Sequence, residues 1–151
     1  MSDIVFHKGF VDFKGDIDFN YISNLLDSGQ YESQFSSDWH DRFVLKSVFK
    51  IRNIETHNEW KPLYTYCEEN FNKNKKNSNL FMFLSLKSGG SSITHTDDED
   101  VYIIGVKGKT WYKVSDKEYM VERGDLLKIP ANTIHTAIGL TPRIILSYGV
   151  Y

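Results

Sequence analysis

Residues 91–151 read SSITHTDDEDVYIIGVKGKTWYKVSDKEYMVERGDLLKIPANTIHTAIGLTPRIILSYGVY, and this stretch decides the fold. It divides into short apolar runs separated by turn-forming residues such as Gly124-Asp125 and Pro130-Ala131. Many short strands with regular turns are typical of an antiparallel sandwich or barrel. The predicted strands, the first of which precedes this stretch, are 80–87, 101–106, 110–114, 119–123, 126–129, 133–138 and 143–148.

Three side chains in this stretch have the spacing of a metal site. In a strand, residues i and i+2 point to the same face, so His95 and Asp97 can both face inward. The strands and turns that follow are enough to return His135 to their side. Two histidines and one carboxylate leave one face of an octahedral ion open, which favours Fe(II). Mn(II), Co(II) and Ni(II) remain alternatives, whereas zinc, calcium and magnesium prefer other ligand sets.

The alternative interpretation of these residues is structural. Each histidine could be a surface or core side chain, and the acidic run 97–100 could be a solvated turn. The combination of spacing, strand context and a second histidine after a Gly-Asp…Pro turn favours the metal site instead.

Composition restricts the classes of protein to consider. The 151 residues show no break in composition, which predicts one domain, with N-terminal helices and strands in 1–79 and the barrel core with the metal site in 80–151. The 20 acidic and 18 basic residues are well mixed, so a nucleic-acid partner is not expected. A single cysteine excludes an internal disulfide, and no secretory or membrane-spanning segment is evident. We therefore expect a cytoplasmic protein without a membrane partner.

The N-terminal half predicts elements that would surround the barrel. Aromatic spacing predicts a strand over 4–13, and Asp16 or Asp18 can cap a helix that ends before the Asp27-Ser28-Gly29 stop. Thr56 and Glu59 have the spacing of a capping box for a second helix. The remaining expectations are a polar, aromatic loop over 30–42 that could cover a site, a strand over 43–51, the second helix over 56–73 and a solvated linker over 72–79.

The segment from Thr94 to Trp111 resembles the JmjC-type Fe(II)/2-oxoglutarate oxygenases, a branch of the cupin superfamily that includes ribosomal-protein and asparaginyl hydroxylases. It has their His-x-Asp, apolar strand, glycine turn and basic-aromatic strand. The segment from Arg123 to His135 resembles the Gly-Asp-x-x-x-x-Pro-x-x-x-x-His pattern of cupins in general.

This resemblance covers about residues 80–151 and implies a mainly β fold, the double-stranded β-helix or jelly-roll barrel, with the N-terminal helices packed outside. It also implies that His95, Asp97 and His135 are the catalytic metal ligands. In the family they would hold Fe(II), with 2-oxoglutarate as cosubstrate.

The residue that would bind the distal carboxylate of 2-oxoglutarate stays open at this point. Many JmjC members place a lysine or arginine on the strand after the glycine turn, where Thr110 aligns without a gap. Lys109, one residue earlier, would need a one-residue bulge to point inward. Arg143 is the other candidate, because some related oxygenases place an arginine on the last core strand and its fork suits a carboxylate. Ser92 could donate a further hydroxyl bond.

The sequence therefore predicts an Fe(II)/2-oxoglutarate-dependent oxygenase, most naturally a hydroxylase. One alternative is a metal-binding cupin with other chemistry, such as a 2-oxoglutarate-independent dioxygenase or an isomerase. Another is a non-catalytic binding cupin. The substrate is open between a small molecule and a peptide, and barrels of this type often form homodimers.

Overall fold

The computed structural model describes residues 3–28, 31–33, 48–86 and 93–151, and the elements below lie in these ranges. A 3₁₀ turn at Ile54–Thr56 precedes the second helix. No helix in the described part of the chain is long and apolar enough to cross a membrane. The helices and strands are β1 (Val5–His7), α1 (Phe19–Asp27), β2 (Tyr31–Ser33), β3 (Val48–Ile51), α2 (Lys61–Phe71), β4 (Ser78–Ser85), β5 (Asp100–Lys107), β6 (Thr110–Val114), β7 (Lys117–Val121), β8 (Leu126–Ile129), β9 (His135–Gly139) and β10 (Arg143–Val150).

Two antiparallel sheets form the body of the protein. The seven-stranded sheet has the order β1-β8-β5-β10-β4-β3-β2, and the three-stranded sheet has the order β7-β6-β9. Alternate residues of each strand enter the space between the sheets, where Val101 and Ile103 of β5 share one apolar cluster with Val114 of β6. The predicted mainly β jelly-roll is therefore confirmed.

The opposite face of the large sheet is covered by the helices. Here Ile104 and Tyr148 belong to a second apolar cluster, which also contains Leu25 of α1 and Cys67 of α2. Tyr102 stacks on Phe71 of α2 with ring centroids 4.2 Å apart. The predicted position of the helices, outside the barrel, is confirmed.

The N-terminal half contributes more to the sheet than the sequence predicted. β1 pairs with β8, β3 pairs with β4, and β2 pairs with β3. Without these strands β8 and β4 would be open edges of the large sheet, with unpaired N–H and C=O groups. The barrel therefore extends beyond the predicted core of 80–151.

The second helix is shorter than the predicted span 56–73. It begins at Lys61, and Pro62 lies in its first turn. Proline is accepted there but removes a hydrogen bond from a helix interior, so a helix from 56 was wrong. Thr56 Oγ1 donates instead to Asn53 O at 2.7 Å, in place of the predicted capping box with Glu59.

The predicted solvated linker over 72–79 is confirmed for residues 73–77, which are exposed, and differs at both ends. β4 begins at Ser78, and Asn72 is buried. The Asn72 side chain donates to Lys76 O at 2.8 Å and accepts from Lys76 N at 2.9 Å. These bonds make the segment a tight turn between α2 and β4.

The first elements of the chain differ in length from the prediction. The strand predicted over 4–13 is limited to β1 and is followed by a turn at Gly9, whose φ is +65°. Asp18 caps α1 by accepting from Tyr21 N at 2.9 Å, whereas Asp16 pairs with Lys107. Part of the loop predicted over 30–42 is β2, and residues 34–47, which include the rest of that loop, lie outside the described residues.

Asp125 of the Gly-Asp turn connects the N-terminal segment to the barrel. It is buried, with Oδ1 accepting from Gly9 N at 3.0 Å and Oδ2 accepting from Glu122 N at 2.9 Å and Lys8 Nζ at 3.2 Å. We expect Asp125→Ala to lower the free energy of unfolding by about 2 to 4 kcal/mol, because two backbone N–H groups lose a charged acceptor. Urea denaturation measures this, and Asp125→Asn, which keeps one acceptor oxygen, should lose less. Equal stability of all three proteins would contradict this role.

Candidate metal centre

The two histidines of the predicted triad are brought together by the backbone. His95 N donates to His135 O at 3.0 Å, and His135 N donates to His95 O at 2.9 Å, which forms an isolated antiparallel bridge. Residues directly opposite each other in such a pair project to the same side. The imidazole centroids are 4.3 Å apart as a result.

Asp97 completes the group two residues after His95. Its carbonyl accepts from Asn132 N at 2.7 Å, which fixes this segment beside the turn before β9. Asp97 Oδ1 lies 3.7 Å from His95 Nε2, and Asp97 Oδ2 lies 3.4 Å from His135 Nε2. Metal–ligand bonds of about 2.1 Å place neighbouring ligand atoms roughly 3 to 3.5 Å apart. One ion therefore fits among these three side chains, whose ligand atoms all lie within 4.8 Å of one another.

Backbone carbonyls hold both imidazoles in the orientation that a metal ligand needs. His95 Nδ1 lies 2.6 Å from Ile93 O, and His135 Nδ1 lies 2.9 Å from Thr133 O. Donation from Nδ1–H to these carbonyls leaves the Nε2 lone pair directed toward Asp97. The two rings thus present equivalent nitrogen atoms to the same point.

The electrostatics of the group favour a bound cation. The hydrogen bond from His135, assisted by the charges around it, lowers the pKa of the Asp97 carboxyl against the effect of burial. Burial opposes the charged form of His135, but Asp97 and the Thr133 carbonyl outweigh it and raise the pKa of this imidazole. The carboxylate is thus charged in the free protein, which is the form that binds metal.

A cavity of about 190 Å³ lies between the two sheets beside the triad. A cavity of about 150 Å³ holds a benzene molecule, so this one accepts a small organic molecule. Its described lining, besides the triad, comprises Val48, Lys50, Phe81, Phe83, Glu99, Val101, Ile103, Tyr112, Ala137, Arg143, Ile145 and Ser147. We call the half-buried set Lys50, Phe81, Phe83 and Glu99 the mouth.

Arg143 is the buried cation of this cavity. Only 4% of the residue is exposed, and its Nε and Nη1 atoms have no hydrogen-bond partner among the described residues. Burial lowers the pKa of the guanidinium, which remains charged because its ordinary value is so high. A buried, unpaired charge is costly, and a bound anion would satisfy it.

Thr110 lies close to the same place. It is directly opposite Gly139 in the pairing of β6 with β9, and a Cβ at Gly139 would lie 2.9 Å from Arg143 Nε. The Thr110 hydroxyl is also buried and has no hydrogen-bond partner among the described residues. Two unsatisfied buried polar groups therefore border Gly139, whose missing side chain leaves room for the guanidinium.

Lys109 and Ser92 do not join this group in the described structure. β6 pairs with β7 and β9 in continuous register from Thr110 onward, so the bulge that would turn Lys109 inward is not formed there. Lys109 is more than half exposed, and its Nζ lies 3.7 Å from Glu122 Oε1. The structure therefore places Lys109 outside the cavity, while Ser92 falls outside the described residues.

Neither Tyr112 nor Gly139 was among the predicted site residues. Tyr112 is buried on β6 and lines the cavity, and burial raises the pKa of its phenol to about 12 while the nearby Arg143 charge opposes this rise. The phenol is therefore a neutral donor beside the guanidinium. Strand alternation from Thr110 would have placed Tyr112 on the same face as that candidate.

The described fold is a two-sheet jelly-roll barrel, and the triad gives it a candidate site for one metal ion. No protein-family model matches the chain, and no curated protein matches its sequence. Among solved structures, the chain is similar to YcfD, a ribosomal oxygenase from Escherichia coli. The complex of YcfD with cobalt and succinic acid matches at a TM-score of 0.78 and 19% identity, over 98% of this chain and 48% of YcfD.

A second YcfD structure, in complex with cobalt and 2-oxoglutarate, matches at a TM-score of 0.78 and 20% identity, over 99% of this chain and 48% of YcfD. The chain thus spans about half the length of YcfD. At this level of identity the comparison shows a shared fold.

Proposed function

We propose that this protein is an Fe(II)/2-oxoglutarate-dependent oxygenase that hydroxylates its substrate. The observation that carries the proposal is the position of Arg143, a buried guanidinium in the same cavity as the His95, Asp97 and His135 group, whose Nε and Nη1 atoms have no hydrogen-bond partner among the described residues. A cosubstrate with a carboxylate at each end and a metal-chelating 2-oxo group would satisfy both sites at once. The two cobalt complexes of YcfD, which has the same fold, support this choice.

The donor set fits the metal. Two Nε2 atoms and one carboxylate are typical of Fe(II) sites that keep open positions, and the carbonyls behind the imidazoles support the same tautomer at both rings. Fe(II) held there would supply the redox chemistry that couples decarboxylation of 2-oxoglutarate to succinate with oxidation of the substrate by dioxygen.

The remaining residues of the cavity would hold the cosubstrate. Arg143 would bind its distal carboxylate through two parallel N–H bonds, and Tyr112 would add a hydroxyl donor from β6. Thr110 is not part of the cavity lining, but its buried hydroxyl, opposite Gly139, would support the position of the guanidinium. The apolar wall, which includes Val101, Ile103 and Ile145 of the large sheet, would exclude water from the stem of the molecule.

The test measures binding and turnover separately. Protein loaded with Mn(II) without oxygen should bind 2-oxoglutarate in calorimetry, and binding should require the metal. Protein loaded with Fe(II) in air should release succinate, slowly without its substrate. Metal binding without binding or consumption of 2-oxoglutarate would overturn the proposal in favour of a metal-binding cupin with other chemistry. A protein that binds neither would overturn it in favour of a non-catalytic cupin.

A further inference from the structure

The mouth carries a cation and a carboxylate on opposite sides. Lys50 lies on β3, Glu99 comes directly before β5, and β4 and β10 separate these two strands in the sheet. Adjacent strands are about 4.8 Å apart, so the two backbones are separated by roughly 14 Å. Both side chains nevertheless line the same cavity, which gives its mouth a positive and a negative end.

Aromatic rings fix the positive end. Lys50 Nζ lies 4.1 Å from the ring centroid of Phe81 and 6.0 Å from that of Phe83. A cation over an aromatic face is restrained in position. The ammonium is thus presented beside an apolar surface.

A glycine provides the place for the negative end. A Cβ at Gly149 would lie 2.9 Å from Glu99 Oε1 and 3.0 Å from Asn79 Oδ1. Any other residue at 149 would displace the carboxylate from the sheet. The Asn79 Oδ1 atom is buried and has no hydrogen-bond partner among the described residues. Two acceptor oxygens therefore lie near one point, which is the environment of a hydrogen-bond donor.

The surface between the two ends is formed by β4 and β10. Phe81 and Ser147 are directly opposite each other in this strand pair, and both line the cavity. The mouth and the adjacent Ser147 thus offer an anion site, an apolar stretch with one hydroxyl group, and an ammonium site, in the cavity that the triad also lines.

We propose that the substrate of this site is a small zwitterion of the size of an amino acid. Its carboxylate binds Lys50, its ammonium binds Glu99 and Asn79, and its carbon chain lies on Phe81 and Phe83. The reaction on this molecule rests on the proposed oxygenase function, whereas its binding does not. A cationic side chain of a protein would use only the Glu99 end, which makes it a distinct outcome of the test.

Four six-carbon probes separate these outcomes: norleucine and 6-aminohexanoate carry both charges, whereas hexylamine and hexanoate carry one each. Calorimetry is done on protein with Mn(II) alone and with Mn(II) and 2-oxoglutarate. We expect one zwitterion to bind at least about tenfold more tightly than either single-charge probe, since each end adds a charge-assisted hydrogen bond. Norleucine and 6-aminohexanoate differ in the distance between their charges. The one that binds more tightly therefore indicates the distance between the Lys50 and Glu99 ends of the mouth.

Two variants test the ends one at a time. Lys50→Gln should abolish the difference in affinity between the zwitterion and hexylamine. Glu99→Gln should abolish the difference in affinity between the zwitterion and hexanoate. Lys113→Gln and Glu69→Gln change exposed residues of β6 and α2, and both differences in affinity should persist in these variants. Each comparison is made between probes on the same variant, so a loss of folded protein does not mimic the result.

Equal binding of hexylamine and the zwitterions would overturn the inference and point to a cationic group alone. Zwitterion binding that both variants leave intact would overturn it as well. Turnover of 2-oxoglutarate without binding of any zwitterion would reject this inference and keep the proposed function. The expected binding pattern in a protein that neither binds nor consumes 2-oxoglutarate would keep the inference and reject the oxygenase.

Discussion

Replacing Arg143 by methionine should weaken 2-oxoglutarate binding by about a hundredfold or more and leave metal affinity within about twofold. The guanidinium is the buried cation of the cavity, and methionine keeps most of the volume of its stem. A hydrogen bond to a charged group contributes about 1.5 to 3 kcal/mol, so two of them correspond to at least a hundredfold. Calorimetry on the Mn(II) protein with 2-oxoglutarate measures the loss.

The same substitution should stabilise the protein without ligand. Nε and Nη1 of Arg143 have no hydrogen-bond partner among the described residues, so this buried charge is incompletely hydrogen-bonded in that part of the free protein. Replacing it by an apolar side chain removes that desolvation cost, and we expect the free energy of unfolding to rise by about 1 kcal/mol or more. Urea denaturation of the metal-free proteins checks the sign. A less stable variant would show that the guanidinium already has hydrogen-bond partners in the ligand-free protein and does not need a bound anion.

Two further variants distinguish the anchor from its neighbours. Lys109→Gln removes the exposed cation that pairs with Glu122, and it should leave 2-oxoglutarate binding unchanged. Gly139→Ala keeps the guanidinium but adds a methyl group 2.9 Å from its Nε, so it should weaken binding by displacing the side chain. If Lys109→Gln had the larger effect, the distal carboxylate would bind at the start of β6 and not at Arg143.

The triad could be predicted because its geometry depends on local rules. The period of two in a strand places His95 and Asp97 on one face wherever the strand lies. A barrel of short antiparallel strands then needs only to return His135 beside its start, and the structure does this through one pair of backbone hydrogen bonds. Neither step depends on the exact length of a strand.

The sequence named Arg143, Lys109 and Thr110 as candidate anchors but could not show which of them faces the cavity, because that depends on register. Whether Lys109 or Thr110 faces inward changes with a shift of one residue in β6. The structure has its irregularity elsewhere, between Ile144 and Ile145 where β10 pairs with β5, directly after Arg143. The space for this arginine comes from a glycine on a different strand, Gly139, which no local pattern connects to it.

The N-terminal half was predicted less well for a related reason. Its strands are short, and β1 and β3 become strands by pairing with the free sides of β8 and β4. Such pairing is a property of the assembled sheet and not of the segment itself. The start of α2 is a different case, because Pro62 was a sufficient local signal against a helix from 56.

Replacing Asp97 by alanine should abolish specific metal binding. The carboxylate lies 3.4 Å and 3.7 Å from the two imidazole Nε2 atoms, and without it only a two-nitrogen site remains. Loss of a residue that merely supports a ligand costs about 10-fold to 100-fold in metal affinity, so loss of the ligand itself should cost more than about a hundredfold. Thermal unfolding with increasing Mn(II) or Co(II) measures this, since a bound metal stabilises the folded state in proportion to the logarithm of its concentration.

Asp98→Ala is the matched control for this experiment. Asp98 is the exposed neighbour of Asp97, and its substitution removes the same charge from the same loop. If the acidic run 97–100 were only a solvated turn that attracts cations, the two variants would lose equal affinity. We expect Asp98→Ala to keep the midpoint shift of the unsubstituted protein and Asp97→Ala to lose it. That difference would show that geometry beside His95 and His135, and not local negative charge, holds the ion.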